Sequence, residues 1–275
     1  MTITLTNKVN ISTHHPIRWF GGKAKLSRYL LPLMPKHKVY VEPFGGGGAI
    51  LTKKERSLVE VYNDIDDQMV NFLLVLRNER ERLIKAVQTL PSSRTLFVQW
   101  KNEPIPDDPF EAAVRWFYLM QQRINPSNGS GVKSGWRSSK VKNVAFCYQN
   151  AIQRLEAFAD RMNNVMIECR DFREIIQFYD TEQTLMLIDP PYYNFGKCYL
   201  GNFEHNSHVD LAHLLNNVQS KVILTYYSHP VIEQLYKGWH RFEIPNIATG
   251  SVTKLGQQKS RQTEVIFTNY NPFVK

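Results

Sequence analysis

Cysteine is scarce: Cys147, Cys169 and Cys198 are the only three in 275 residues. An odd number without metal-ligand spacing excludes a disulfide framework and a zinc site, and implies reduced thiols. No apolar run approaches the ~20 residues of a membrane span, and the opening MTITLTNKVN lacks the apolar core of a secretion signal. The expectation is a cytoplasmic protein with no membrane partner. Two nucleotide signatures are also missing. There is no GxxxxGK[ST] phosphate loop, and the run Gly45-Gly46-Gly47-Gly48 puts Ile50 or Leu51 where a dinucleotide fingerprint needs its third glycine. ATP of the phosphate-loop type and a nicotinamide cofactor are thereby disfavoured. No internal repeat is present.

Acid is absent from two long stretches. Between residues 112 and 155 there is no Asp or Glu, while Arg115, Arg123, Lys133, Arg137, Lys140, Lys142 and Arg154 supply positive charge. A second acid-free run, 244–263, carries Lys254, Lys259 and Arg261. The net charge of +9 is thus concentrated in segments. Such segments suit a polyanion, and double-stranded nucleic acid is the obvious one. A solvated basic surface with no partner is the plainer alternative.

What is present reads as alternating strands and helices. Residues 38–44 (KVYVEPF) read as a strand that breaks into the glycine run. A helix start is expected over 49–55, and a second strand over 58–62 (LVEVY) ends at Asn63-Asp64. This order is half of a nucleotide-binding α/β sheet. Apolar residues at helical spacing (Leu73, Leu76, Leu83, Ile84, Val87, Leu90) predict one helix over 69–90, closed by Pro91. Further helices are expected over 110–124 and 148–162, around a Gly- and Ser-rich loop or small hairpin at 125–142. Strands are expected over 164–169, 184–188, 221–225 and 264–268. The fold class that results is α/β, a doubly wound sheet interrupted by a smaller, mainly helical module. Ligands in such sheets lie beyond the carboxyl ends of the strands, where both the glycine run and Asp189 fall.

Without a pyrophosphate signature, a smaller adenosine-bearing ligand suits the glycine run. Asp64, about 20 residues beyond it, could grip ribose hydroxyls; an N-cap is the plainer role. The other special stretch is LMLIDPPYYNFG, residues 185–196. Proline has a fixed φ and no N–H, so Asp189-Pro190-Pro191 is a rigid corner rich in acceptors and poor in donors. Its natural partner is an amino group on a flat ring, with the tyrosines supplying a surface for the ring.

These residues bring a resemblance into view. The chain resembles the Dam-like, α-group DNA adenine-N6 methyltransferases, which use S-adenosylmethionine. Four pieces follow in that family's order: IRWFGGK (17–23), VEPFGGG (41–47), YNDI (62–65) and, after an insertion, DPPY (189–192). The resemblance implies a Rossmann-like methyltransferase sheet. Its catalytic domain would comprise residues 1–67 and 144–275, with a target-recognition insertion at 68–143. It implies that Trp19, Lys23, the loop Pro43, Phe44, Gly45 and Gly47, and Asp64 touch the cofactor. Asp189 would lie beside the methyl donor and Asp171 near its adenine. On that reading the Asp189 carboxylate and the Pro190 carbonyl each accept one amino hydrogen, pulling the adenine nitrogen towards tetrahedral geometry. Tyr192 would stack on a base rotated out of the duplex, with Tyr193 or Phe195 assisting. Arg123, Lys133, Arg137, Lys140 and Lys142 become DNA contacts, and Trp136 a candidate wedge. The insertion lacks the NGLxRxN-like run of the family's GATC readers, which leaves the target sequence open. A cognate restriction endonuclease and a bacterial, phage or mobile-element source would fit the family. The same corner suits an RNA base or a protein amide, and a catalytically inactive DNA-binding relative is a further alternative.

Overall fold

The computed structural model describes residues 15–126, 134–201, 203–248 and 261–274. After a short helix α1 (Ser27–Leu30), strand β1 (Val39–Glu42) and strand β2 (Val59–Asn63) flank the glycine run. Six helices follow: α2 (Asp67–Asn78), α3 (Arg80–Thr89), α4 (Arg94–Asn102), α5 (Pro109–Gln122), α6 (Val144–Ile152) and α7 (Leu155–Met162). The chain then returns to the sheet with β3 (Met166–Glu168), α8 (Phe172–Phe178) and β4 (Thr184–Ile188). It closes with α9 (His205–Leu215), β5 (Lys221–Tyr227), α10 (Pro230–Leu235), β6 (His240–Ala248) and β7 (Arg261–Thr268).

The seven strands run in the order β3-β2-β1-β4-β5-β7-β6. The first five are mutually parallel, whereas β7 is antiparallel to both β5 and β6. Because β1 pairs with β2 on one side and β4 on the other, the connections leaving β1 and β4 diverge. A crevice must open there, at the topological switch point. Strand β4 shows why the sheet is covered twice. All five of its residues are buried, Leu185 and Leu187 towards one apolar cluster and Met186 and Ile188 towards the other, as the two-residue strand period requires. Helices α2 to α7 cover the first face and α8 to α10 the second.

Several expectations need correction. The helix expected over 49–55 is a series of turns. Lys54 is drawn inward to Glu60 at 2.7 Å, which Arg161 of α7 also binds at 2.6 Å, so the segment is tethered before it can extend. The single helix over 69–90 is two, α2 and α3, broken at Glu79 (φ −129°, ψ 39°). The break lets Met69, Phe72 and Leu76 of α2 and Leu83 and Val87 of α3 be buried against the same core. The helix over 148–162 is likewise two, α6 and α7. Helix α4, capped by the Ser93 hydroxyl, and edge strand β6 were not anticipated. β6 contains Pro245 where its register with β7 slips, a residue tolerated only at a sheet edge or bulge. The helical layer shares its core with the sheet.

Candidate active site

The loop after β1 is built around aromatic rings. A Cβ on Gly45 would come within 2.2 Å of the Tyr62 ring, and one on Gly46 (φ +49°) within 2.7 Å of Trp19 Nε1. The glycines therefore admit the Tyr62 and Trp19 rings close against the loop backbone. Tyr62 donates its hydroxyl to the Gly46 carbonyl at 2.6 Å, and the Gly46 N–H donates to Asp64 Oδ2 at 2.7 Å. Asp64 also accepts from the Asp66 N–H at 2.9 Å, while Asp66 caps α2 through the Gln68 and Met69 N–H groups. Capping thus falls to Asp66, and Asp64 buttresses the loop. Burial pushes the Asp64 carboxyl up to about 6.

One cavity of about 190 Å³ runs from this loop to the end of β4. Trp19, Lys23, Pro43, Phe44, Gly45, Gly47, Asp64, Asp171 and Asp189 all line it, so every residue expected to touch a cofactor reaches one space. Phe44 lies 5.2 Å from the Phe172 ring and 5.7 Å from Phe203, an apolar wall suited to a flat heterocycle. Asp171 caps α8, accepting from the Arg173 N–H at 2.8 Å. Glu42, at the end of β1, accepts from the Tyr40 hydroxyl at 2.7 Å, and burial pushes it up to about 7. Carboxyl groups, the cations Lys23, Arg170 and Arg173, and aromatic rings surround one crevice, a lining that suits a ligand carrying an aromatic base and sugar hydroxyls.

At the other end stands the Asp189 corner. Asp189 Oδ1 accepts from Thr225 Oγ1 at 2.6 Å and lies 2.9 Å from the Lys23 ammonium. Pro190 and Pro191 are buried, and Pro191 lines the cavity. Lys23 also donates to the Gly21 carbonyl at 2.8 Å. Burial works against its charge, but Asp189 and Glu264 outweigh burial and hold its pKa above the usual lysine value. Tyr192 is buried. Its hydroxyl donates to Glu264, its ring packs against Tyr226 and Tyr227, and the Lys23 ammonium stands 4.5 Å from the ring centroid. The tyrosine that lines the cavity is Tyr199, 5.5 Å from the Phe20 ring. Tyr193 packs on His229 at 4.4 Å, and Phe195 on Tyr227 at 5.7 Å.

The first motif also anchors the insertion. Arg18 donates to the carbonyls of Gln121, Arg123 and Ile124 at 3.0, 2.6 and 3.2 Å, closing the end of α5. The Phe20 N–H donates to Pro126, which itself lines the cavity. Arg123 and Trp136 pair as an isolated bridge, giving the flanks of the expected hairpin. Burial lowers the Arg123 pKa, with Asp66 opposing. Trp136 packs on Phe97 at 5.7 Å. Arg137 is half-buried, whereas Lys140 and Lys142 are exposed on a turn whose N–H groups bond to Ser139. Lys133, Lys254 and Lys259 lie outside the described residues.

Glu264, Thr225, Tyr199 and Phe172 were missed as site residues. Glu264 had a signal, being a lone acid opening an apolar strand, EVIFT. The other three carry none that separates them from core or loop residues. All three cysteines are free, no His, Cys, Asp and Glu cluster among the described residues could hold a metal, and no helix among them is long and apolar enough to cross a membrane.

A sheet of this order, with an antiparallel β7 and a crevice joining an aromatic, acid-lined pocket to a proline-braced carboxylate, defines a Rossmann-like methyltransferase. A model of the D12 class N6 adenine-specific DNA methyltransferases matches residues 19–251, and the chain belongs to that family. It is 24% identical to the Type II methyltransferase M1.LlaDCHI of Lactococcus lactis subsp. cremoris, over 98% of this chain and 99% of that protein. Against the Type II methyltransferase M.CviBI of Paramecium bursaria Chlorella virus NC1A the identity is 22%, over 81% and 86%. The DNA adenine methylase of Salmonella typhi is 23% identical, over 75% and 77%. The chain is an adenine-specific DNA methyltransferase that uses a methyl donor and acts on DNA.

Proposed function

We propose that the methyl donor is S-adenosylmethionine, held between the glycine loop and Asp64, and that the acceptor is an adenine N6 presented at Asp189 after rotation out of the duplex. The observation that carries this reading is the single cavity connecting Asp64 and Phe44 with Asp189, because direct transfer requires donor and acceptor in one dry space. The cofactor would supply an electrophilic methyl on a sulfonium. Asp64 would accept from ribose hydroxyls, Phe44 and Phe172 would face the adenine ring, and Trp19 and Lys23 would close the loop side. Asp189 and the Pro190 carbonyl would accept the two amino hydrogens, freeing the nitrogen lone pair. No nucleophilic side chain is needed, since positioning and electrostatics lower the barrier.

Tyr192, placed against the base by the family resemblance, is braced by Glu264, and Tyr199 supplies a second aromatic face within the cavity. Lys140 and Lys142 would meet phosphates, with Arg123, Arg137 and Lys133 completing the insertion's contact. A cognate restriction endonuclease and a cytoplasmic setting complete the proposal. The test is incubation of the protein with labelled S-adenosylmethionine and unmethylated genomic DNA, followed by mapping of modified adenines. N6-methyladenine in one short motif is expected. Absence of label from DNA, with label in RNA or protein, would overturn the substrate.

A further inference from the structure

Glu264 is 2% exposed, the fourth residue of β7, opposite Tyr227 of β5 and Ile244 of β6. A carboxyl group in so apolar a place needs partners, and two are present. The Tyr192 hydroxyl donates to Glu264 Oε1, and the Lys23 ammonium stands 3.8 Å from the same oxygen and 2.9 Å from Asp189 Oδ1. One buried ammonium is therefore shared between two carboxyl groups, one at the cavity and one behind it. Among the described residues, both polar contacts of Asp189 use Oδ1, so Oδ2 is the acceptor that remains.

We infer that Glu264 is a positioning residue for methyl transfer: it draws the Lys23 ammonium and the Tyr192 hydroxyl to the rear of the corner, so that Asp189 keeps its acceptor strength for the target amino group. This rests on the proposed role of Asp189. A carboxylate that fully neutralises a neighbouring ammonium is a weaker acceptor for a neutral N–H than one sharing that ammonium with a second carboxylate. Burial pushes Glu264 up to about 7. When it is protonated, Lys23 leans on Asp189 alone; when it ionises, Lys23 is shared. The charged and titratable groups facing Glu264 are Lys23, Asp189, Tyr192, Tyr227 and Tyr199, and burial raises the Tyr192 and Tyr199 hydroxyls well above ordinary tyrosine values.

The experiment is single-turnover methyl transfer by wild type and Glu264→Gln between pH 5.5 and 8.5, with S-adenosylmethionine affinity measured by calorimetry at each pH. The wild-type rate should rise through about pH 7, while the isosteric variant should run flat. The two should differ little at pH 5.5 and by at least about tenfold at pH 8.5, with cofactor affinity unchanged within about threefold. An identical pH profile in the two proteins would overturn the inference, as would a variant slowed equally at every pH. Tyr192→Phe, which removes the donor but keeps the carboxyl, should move the midpoint of the limb without abolishing it. It serves in place of Glu264→Gln if that variant does not fold, and an unmoved midpoint would then overturn the inference. Asp189→Ala, run in parallel, separates the two claims. If Asp189→Ala is active, the proposed chemistry of the corner fails. If it is inactive while Glu264→Gln behaves as wild type, only the positioning role fails.

Discussion

Around the half-buried Asp189 the charged groups Lys23 and Glu264 are buried, and all are mutually engaged: Lys23 with Asp189 and Glu264, and Asp189 with Thr225. Along residues 137–142 the cations are half-buried or exposed, on a turn whose Val141 and Lys142 N–H groups donate to the Ser139 hydroxyl. The first region is preorganised, as transition-state chemistry in a dry site demands. The second presents long, solvated side chains that can follow a phosphate backbone. Mutations in the two regions should therefore fail differently. Damage to the corner should change rate with little regard to ionic strength, and damage to the basic turn should change affinity in a salt-dependent way.

The loop after β1 allows the sharpest disruption short of the corner itself. Gly46→Ala sets a Cβ 2.7 Å from Trp19 Nε1 at φ +49°, so the loop must shift. A stability loss of about 1–3 kcal/mol is expected by denaturant titration, with cofactor affinity reduced at least tenfold by calorimetry. Unchanged affinity would detach Trp19 and the loop from the cofactor. Asp64→Asn should weaken cofactor binding by about tenfold, the order expected for losing a charged acceptor. Because burial holds Asp64 near 6, wild-type affinity should fall as the pH drops below 6, whereas that of the variant should not. A parallel decline in both would assign the pH dependence elsewhere.

Smaller effects concern pH and salt. Burial raises Glu42 and Glu264 to about 7, so the folded chain holds these protons more tightly than the unfolded one. That stabilisation is complete below the ordinary carboxylate value of about 4 and is lost as the pH rises through about 7. His15 and His208, which burial lowers to about 4, add the opposite slope, but only up to the unfolded histidine value of about 6.5. Between pH 6.5 and 8 the denaturation midpoint should therefore fall slightly, and Glu42→Gln should lessen the fall. Lys140→Ala and Lys142→Ala should each reduce the slope of log affinity against log salt by about one. An unchanged slope would place them on an idle surface.

The sequence made the sheet's centre legible because its strands are short apolar runs ended by distinctive residues. β4 matches the expected 184–188, and β1 and β2 lie within a few residues of their expected limits. It also brought the cavity-lining residues into view, since motif order preserves what the switch point brings together. The roles that stayed hidden depend on distance along the chain. Glu264 meets Tyr192 across 72 residues and Lys23 across 241, and no local pattern encodes such a pairing. By sequence the glycine run offers room for a ligand. Its tightest neighbours are Tyr62, His15 and Trp19, because a bare backbone admits any ring that packing supplies. The break at Glu79 and the edge strand with Pro245 reflect tertiary packing that overrides local periodicity.

The most direct test of the central claim is a paired measurement on Asp189→Ala: S-adenosylmethionine affinity by calorimetry, and single-turnover transfer to an unmethylated duplex. The account predicts cofactor binding that persists and a transfer rate reduced by at least about a thousandfold, the order lost with a key transition-state contact. Transfer at the wild-type rate would contradict it and remove Asp189 from the chemistry.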